Sequence, residues 1–381
     1  MKIAIPKEIG PGETRVAVVP AMVSPLIRDK HEVFVEAGAG EAASFPDREY
    51  EQAGAQIITD PQLLFERADA ILKVQPPQVN PTLRKDEAEL LREGSIYIGF
   101  LAPLSNPDVV KIFLRRRITS FSMEYIPRIT RAQPMDALSS MSTITGYKAV
   151  LLAADQLGKM FPLLMTAAGT TPPAVVLVLG AGVSGLQAIA TAKRLGAKVE
   201  AFDPRPTVKE QVKSLGATFI EMEQPKDVET ANGYAKEQSA EFIQKEMEAI
   251  GTRLPKVDVV ICTAQVFGKR APLLMTEEMV KSMRHGSVII DLAAEHGGNC
   301  ALTKSGATIE AHGVIITGPV NLPATVPVDA SRMYSKNITS LFKHLYPKAD
   351  SIPDPGDDIV KGCCITREGK IVNEMVRASL K

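Results

Sequence analysis

Three glycines near the middle of the chain are spaced to hold a phosphate. They stand in Gly180-Ala181-Gly182-Val183-Ser184-Gly185, a G-x-G-x-x-G pattern. An apolar run rich in valine, residues 174–179, precedes them, and a helical pattern, residues 186–195, follows. Such a run suits a parallel strand buried on both faces. Gly180 allows the tight turn, Gly182 lets the backbone approach a pyrophosphate, and Gly185 lets the helix pack close to the strand. The N–H groups at the helix start, beginning with Val183, then face the phosphates. A second strand, residues 198–202, runs into Asp203, Pro204 and Arg205. The acid stands about 20 residues past the glycines, where a carboxylate accepts hydrogen bonds from ribose hydroxyls and repels a 2′-phosphate. The pattern implies NAD(H) rather than NADP(H). A glycine turn that binds nothing is the alternative, and the strand, helix and acid in their required places argue against it.

Those residues must be positioned by something larger. The chain has 381 residues, enough for two domains. Residues 1–125 alternate strand-like segments (2–6, 33–36, 56–58, 70–74, 95–100, 118–121) with helix-like ones such as 20–28 and 106–115. Residues 172–318 carry the fingerprint and further strands at 218–221, 257–262, 287–292 and 314–317, and Thr276 reads as an N-cap before Glu277 and Glu278. Alternation of this kind means α/β architecture, with parallel sheets covered by helices on both faces. A helix over 146–161 should cross to the second half, and another over 330–345 should return. The expected fold is therefore two doubly wound, Rossmann-like domains joined by two long crossover helices. The first domain is discontinuous, 1–139 plus 330–381, and residues 140–329 form the NAD(H)-binding domain.

Composition narrows the function. Hydrophobic residues make up 45% of the chain and the formal net charge is zero, so there is no basic excess for nucleic acid. The apolar runs are strand-length, too short to span a bilayer. The N-terminus starts as a strand and lacks the apolar region of a signal peptide. Cys262, Cys300, Cys363 and Cys364 show neither metal spacing nor a disulfide framework, which suits a reducing cytoplasm. His31, His285, His296, His312 and His344 form no ligand-spaced pair, so no metal is expected. Two polar stretches break the rhythm. Residues 126–145 form a loop of a length that is usually functional or mobile. The charged insert 222–238 reads either as a mobile lid or as a solvated surface loop.

Several stretches carry a resemblance. Ile5-Pro6-Lys7-Glu8 and Glu13-Thr14-Arg15-Val16-Ala17, taken with residues 128–140 and the fingerprint, resemble the family of alanine dehydrogenases and proton-translocating nicotinamide nucleotide transhydrogenases. The likeness covers nearly the whole chain. Residues 127–136, 165–170, 233–237 and 297–300 are similar to the NAD(H)-binding component of the transhydrogenases.

The resemblance implies that the 128–139 loop lies beside the nicotinamide, with Arg128, Gln133 and Asp136 as its reactive-end residues and Ser139 following. Arg128 offers a fork of donors to a carboxamide, Gln133 a bond to a ribose hydroxyl and toward a second nucleotide, and Asp136 an acceptor for the carboxamide or a partner for Arg128. Ile129, Thr130, Pro134 and Met135 complete that portion of the cofactor site. Tyr234, after Gly233, matches a mobile-loop tyrosine that packs over nucleotide, and Gln265 stands at a strand end that touches cofactor.

As the resemblance implies, the whole enzyme moves hydride between NAD(H) and NADP(H), coupled to proton translocation. With one fingerprint and no bilayer span, this chain needs a membrane-spanning proton-channel component and an NADP(H)-binding component. The likeness further implies a homodimer and a cytoplasmic location, held to the inner face of the cell membrane through its partners. An alanine-dehydrogenase-like activity would instead use Arg15 and Lys73 on a substrate carboxylate, plus a histidine and an aspartate. The histidine position holds Phe100, and the aspartate position falls near Glu295. A phenylalanine cannot shuttle a proton, and Arg15 and Lys73 are then expected to be structural cations beside buried carboxylates. A regulatory NAD-binding module without catalysis is the remaining alternative.

Overall fold

The structure, a computed structural model, describes residues 1–222, 239–266, 268–348 and 351–380. The lid candidates Gly233 and Tyr234 lie outside the described residues, as does most of the 222–238 insert. The chain divides into two compact units, Met1–Met141 with Pro323–Lys381, and Ser142–Leu322.

Along the first unit run strands β1 (Lys2–Ile5), β2 (Glu32–Glu36), β3 (Gln56–Ile58), β4 (Ala70–Leu72), β5 (Ile96–Gly99) and β6 (Thr119–Ser122), with helices α1 (Pro20–Arg28) and α2 (Pro107–Arg115) among the connections. Helix α3 (Ala137–Gln156) follows. The second unit holds β7 (Val175–Leu179), helix α4 (Val183–Arg194), β8 (Lys198–Phe202), β9 (Thr218–Phe219), helix α5 (Ala240–Gly251), β10 (Val259–Cys262), β11 (Val288–Asp291), β12 (Thr308–Ala311) and β13 (Val314–Thr317). After Leu322 the chain is back in the first unit. There it forms helix α6 (Pro327–Leu345), then β14 (Cys364–Arg367) and β15 (Lys370–Ile371).

Each unit has its own sheet. In the first the order is β15-β14-β6-β5-β4-β1-β2-β3, in the second β9-β8-β7-β10-β11-β13-β12. Pairing is parallel except where β14 and β15 close one edge of the first sheet and β12 turns back on β13. Both sheets thus have the doubly wound order with a switch point, between β1 and β4 and between β7 and β10. The core shows why. Along β7, Val176 and Val178 pack into one apolar cluster while Leu177 and Leu179 pack into another, so the strand is buried on both faces. In the first unit Ala4, Phe34, Ile71 and Tyr97 share one cluster with Phe65 and Phe113.

One expectation needs correcting. Helix α3 starts at Ala137, not at residue 146, so the 126–145 stretch is largely structured. Its first half is rich in serine and threonine, yet Ala137, Met141 and Ile144 are buried at helical spacing. The preceding residues, Thr130–Met135, form a 3₁₀ turn instead of an open loop. Thr276 caps its helix as expected, accepting from the Met279 N–H at 3.3 Å.

Candidate functional site

The fingerprint of the second unit is built by close backbone approach. Gly180 has φ +96°, and a Cβ there would meet Thr263 Oγ1 at 2.6 Å. A Cβ on Gly185 would sit 1.9 Å from the Gly180 carbonyl oxygen, so helix and strand touch through bare backbone. Gly182 is the opposite case. Its Cβ would meet nothing nearer than Arg205 Nη2 at 4.0 Å, which leaves a cradle above the turn. No side chain caps the start of α4. Its leading N–H groups therefore face that cradle, where an anion fits. Val183 at the first helical position is half-buried.

Three residues that the glycine spacing does not point to hold this turn. Thr263 Oγ1 donates toward the carbonyls of Gly180 (3.0 Å) and Leu179 (3.2 Å). Ser184 Oγ donates to the Ser142 carbonyl at 3.0 Å, and Gly146 in α3 lets that helix press on the turn, since a Cβ there would lie 2.1 Å from the Ser184 oxygen. A glycine inside a helical stretch was the one signal available for Gly146.

Asp203 ends β8 where the pattern places it, but its carboxylate is already engaged. Oδ2 accepts from Ala181 N (2.7 Å) and Arg205 Nη2 (2.8 Å), and Oδ1 from Arg205 N and Nε (both 2.9 Å). Four donors use the four lone pairs of a carboxylate. A ribose hydroxyl must therefore share or displace the Arg205 fork, a coupling that residue spacing does not reveal. Pro204 and Arg205 are half-buried beside it. Glu246 on α5 is 3% exposed, and its pKa is pushed up to about 8 by burial and then by the Asp203 charge. Gln265, at the exit of β10, is exposed and donates through Nε2 to the Leu292 carbonyl at 2.9 Å. Asn299, fully buried, ties the same loop down by bonds to Ala264 N, Ala264 O and Pro272 O.

In the first unit, Arg128, Thr130, Gln133 and Pro134 are exposed, Ile129 and Asp136 are half-buried, and Met135 is buried. Asp136 has a structural duty that its expected role did not include. Its Oδ1 accepts from Ser139 N at 2.9 Å and its Oδ2 from Ser139 Oγ at 2.6 Å, which caps the start of α3. Gln133 sits on the 3₁₀ turn with its side chain outward.

The family's sequence pattern spans almost the whole chain: the N-terminal domain of alanine dehydrogenase/PNT matches residues 4–145, and the C-terminal domain residues 149–374. The chain belongs to the alanine dehydrogenase/PNT family. It is 49% identical over 380 residues to the first portion of the NAD(P) transhydrogenase subunit alpha of Rhodospirillum rubrum, a separate chain there, covering 98% of each. A crystal structure of transhydrogenase from Sinorhizobium meliloti superposes with a TM-score of 0.85 at 38% identity, over 98% of this chain and 100% of that one. Alanine dehydrogenase of Bacillus subtilis is 30% identical over 335 residues, 86% of this chain and 81% of its own.

The two branches of the alanine dehydrogenase/PNT family differ in what they ask of Arg15 and Lys73. Both cations lie in the first unit, around the β1/β4 switch point. Arg15 makes a two-pronged bond to Glu13, Nε to Oε1 at 2.7 Å and Nη2 to Oε2 at 2.6 Å. Gln75 Nε2 adds a third donor at 2.7 Å. Burial pushes the Glu13 pKa upward, but the Arg15 fork wins and holds it at about 2. Lys73 is 1% exposed and sits between Glu87 (2.9 Å) and Glu8 (3.3 Å). Burial raises the pKa of both acids, against the pull of Lys73. Phe100 packs its ring 5.4 Å from that of Tyr334. Glu295, in the second unit, is exposed. Among the described residues no cluster could hold a metal ion, and no helix is long and apolar enough to cross a membrane.

Proposed function

We propose that this chain is the NAD(H)-binding component of a proton-translocating transhydrogenase, exchanging hydride with NADP(H) held on a partner component. The observation that carries the choice is the occupancy of Arg15 and Lys73 by Glu13, Glu8 and Glu87. An amino-acid dehydrogenase needs such cations open to a substrate carboxylate and needs an acid–base group near them. Here the cations are neutralised from within, and Phe100 offers no proton. Hydride exchange between two nicotinamides asks for neither; it needs two rings held close and dry.

NAD(H), when bound, supplies the hydride. The residues of this chain bind and orient it. Gly180, Gly182, Val183 and Gly185 offer backbone donors and room to the pyrophosphate, and Asp203, Pro204 and Arg205 flank the adenosine ribose. Gln265 stands at the strand ends. Arg128, Ile129, Thr130, Gln133, Pro134, Met135, Asp136 and Ser139 form the turn that positions the nicotinamide, with Gly233 and Tyr234 as the covering segment. Activity then requires the NADP(H)-binding component and a membrane-spanning proton channel, and this chain rides on the inner face of the cell membrane through them. The naming of the relatives as one portion of a subunit alpha supports such an assembly. A homodimer is supported by the hairpin Leu164–Thr166 and Gly169–Thr171, which exposes Met165 (78%) beside Leu163 and Met160. A lone two-stranded hairpin is marginal in water and gains from a partner.

The test is to mix the chain with an NADP(H)-binding component and follow hydride transfer, beside an assay for alanine deamination. Transfer in the mixture only, with no alanine activity, is expected. Alanine-dependent NADH formation would restore the dehydrogenase reading, and NADH binding without transfer would favour a regulatory module.

A further inference from the structure

The turn that carries Gln133 is held down at three points by the C-terminal return of the chain, all within the first unit. Asn337, on α6, donates through Nδ2 to the Pro134 carbonyl at 2.8 Å, one residue from Gln133. It is 6% exposed, and its own Oδ1 is buried without a hydrogen-bond partner among the described residues. An unpaired buried acceptor costs about 1–3 kcal/mol, and asparagine in a helix interior is a poor helix former. An apolar residue would avoid both penalties but would lose the bond to Pro134.

The second point is Arg131, which donates through Nη1 to Asp357 Oδ2 at 2.7 Å. The other oxygen of Asp357 accepts from Ile359 N (2.7 Å) and Val360 N (3.3 Å), which caps the helix Asp358–Cys363. The third is Gly362, on the same short helix. A Cβ there would lie 3.0 Å from both Pro127 Cδ and the Tyr125 carbonyl oxygen, so glycine lets the entry to the turn lie flat on the helix.

We infer that Asn337 and Asp357 are positioning residues for hydride transfer, fixing the 3₁₀ turn Thr130–Met135 so that Gln133 is presented in one place. The inference rests on the function proposed above. Neither residue touches cofactor; each acts through the backbone or side chain of the turn.

The experiment uses the full chain and its complex with the NADP(H)-binding component. Two variants are compared with the unmodified protein: Asn337→Asp, which keeps volume but loses the donor when ionised, and Arg131→Ala, at a half-exposed site where folding is safe. Amide hydrogen exchange of residues 130–136 reads the anchoring directly, without cofactor. It should quicken in both variants. Hydride transfer by the Asn337→Asp complex should fall on the order of tenfold at pH 8, with NADH affinity within about twofold. It should recover relative to the unmodified complex as the pH is lowered, because a protonated carboxyl again donates to the Pro134 carbonyl and burial raises its pKa. A residue that merely supported the fold would show no such acid recovery. Unchanged exchange in both variants, or unchanged transfer in both, overturns the inference. Faster exchange with an unmodified complex that transfers no hydride leaves the anchoring standing and overturns the functional reading instead.

Discussion

Replacing Asp203 with asparagine isolates cofactor choice from fold. The amide keeps the volume and one oxygen, so Ala181 N, now 2.7 Å from Oδ2, retains an acceptor in the fingerprint turn. What disappears is a charge and the grip on Arg205, whose Nε and Nη2 lie 2.9 and 2.8 Å from the carboxylate. A unit charge about 5 Å from a 2′-phosphate interacts at about 3 kcal/mol per charge at an effective dielectric of ~20. The Arg205 fork cancels most of that, leaving about 1 kcal/mol of repulsion against NADPH. A guanidinium released from Asp203 and turned to the phosphate adds about 1.5 kcal/mol in the other direction, the low end for a charged hydrogen bond. Preference for NADH over NADPH should therefore fall by about 2 kcal/mol, about 30-fold, while NADH itself weakens by less than about tenfold. Calorimetric titration with both nucleotides at two salt concentrations measures this, and the NADPH gain should shrink in salt. Adding Arg205→Ala to Asp203→Asn should abolish the gain, a double-mutant test of the coupling. An unchanged NADH-to-NADPH ratio in Asp203→Asn would refute the reasoning that this pair sets the choice.

Gln133→Asn, in the reconstituted complex, should slow hydride transfer on the order of tenfold, about 1.4 kcal/mol in the barrier, while weakening NADH binding less; stopped-flow transfer beside equilibrium titration decides it. Gly185→Ala should cost about 3 kcal/mol of stability and most NADH affinity, because the new Cβ meets the Gly180 carbonyl at 1.9 Å and neither backbone has slack; urea midpoints read the first effect. Glu246 binds its proton more tightly folded, with a pKa of about 8 against 4.5 in the unfolded chain, so stability is highest below pH 4.5, declines as pH rises to 8 and is level beyond. Glu246→Gln, the isostere of the protonated form, should be more stable at pH 8 by on the order of 1–3 kcal/mol, seen as a flatter dependence of Tm on pH.

The strands of both sheets were legible because burial on both faces writes itself as valine and isoleucine runs. The segment 174–179 became β7, and 257–262 became β10, with trimmed ends. The start of α3 was not legible, since Ser139, Ser140, Ser142 and Thr143 lower helix propensity. The cap by Asp136 and the burial of Met141 and Ile144 override it. The edge strands β12, β14 and β15 were missed for a related reason: they are short, half-exposed in places and antiparallel. At the site, the glycine spacing carried the turn, but the saturation of Asp203 did not show. Nothing in a strand-end acid announces that the arginine two positions on will fold back over it. The anchors Thr263, Gly146 and Asn337 are distant in sequence from what they hold, and only the tertiary structure brings them together.

The internally filled cations Arg15 and Lys73 also shape which sequences this chain can reach by single steps. Removing Glu13 alone strands a guanidinium that is 3% exposed, and removing Glu87 alone leaves Lys73 with only Glu8 at 3.3 Å. Breaking one side of a buried pair costs about 3–5 kcal/mol, a large share of a domain's whole stability. Opening a carboxylate pocket here would thus pass through an intermediate that folds poorly, before any substrate could reward the change. The Glu13–Arg15 and Glu8–Lys73–Glu87 contacts act as a ratchet: once the acids had settled on the cations, the way back was closed to one-mutation paths.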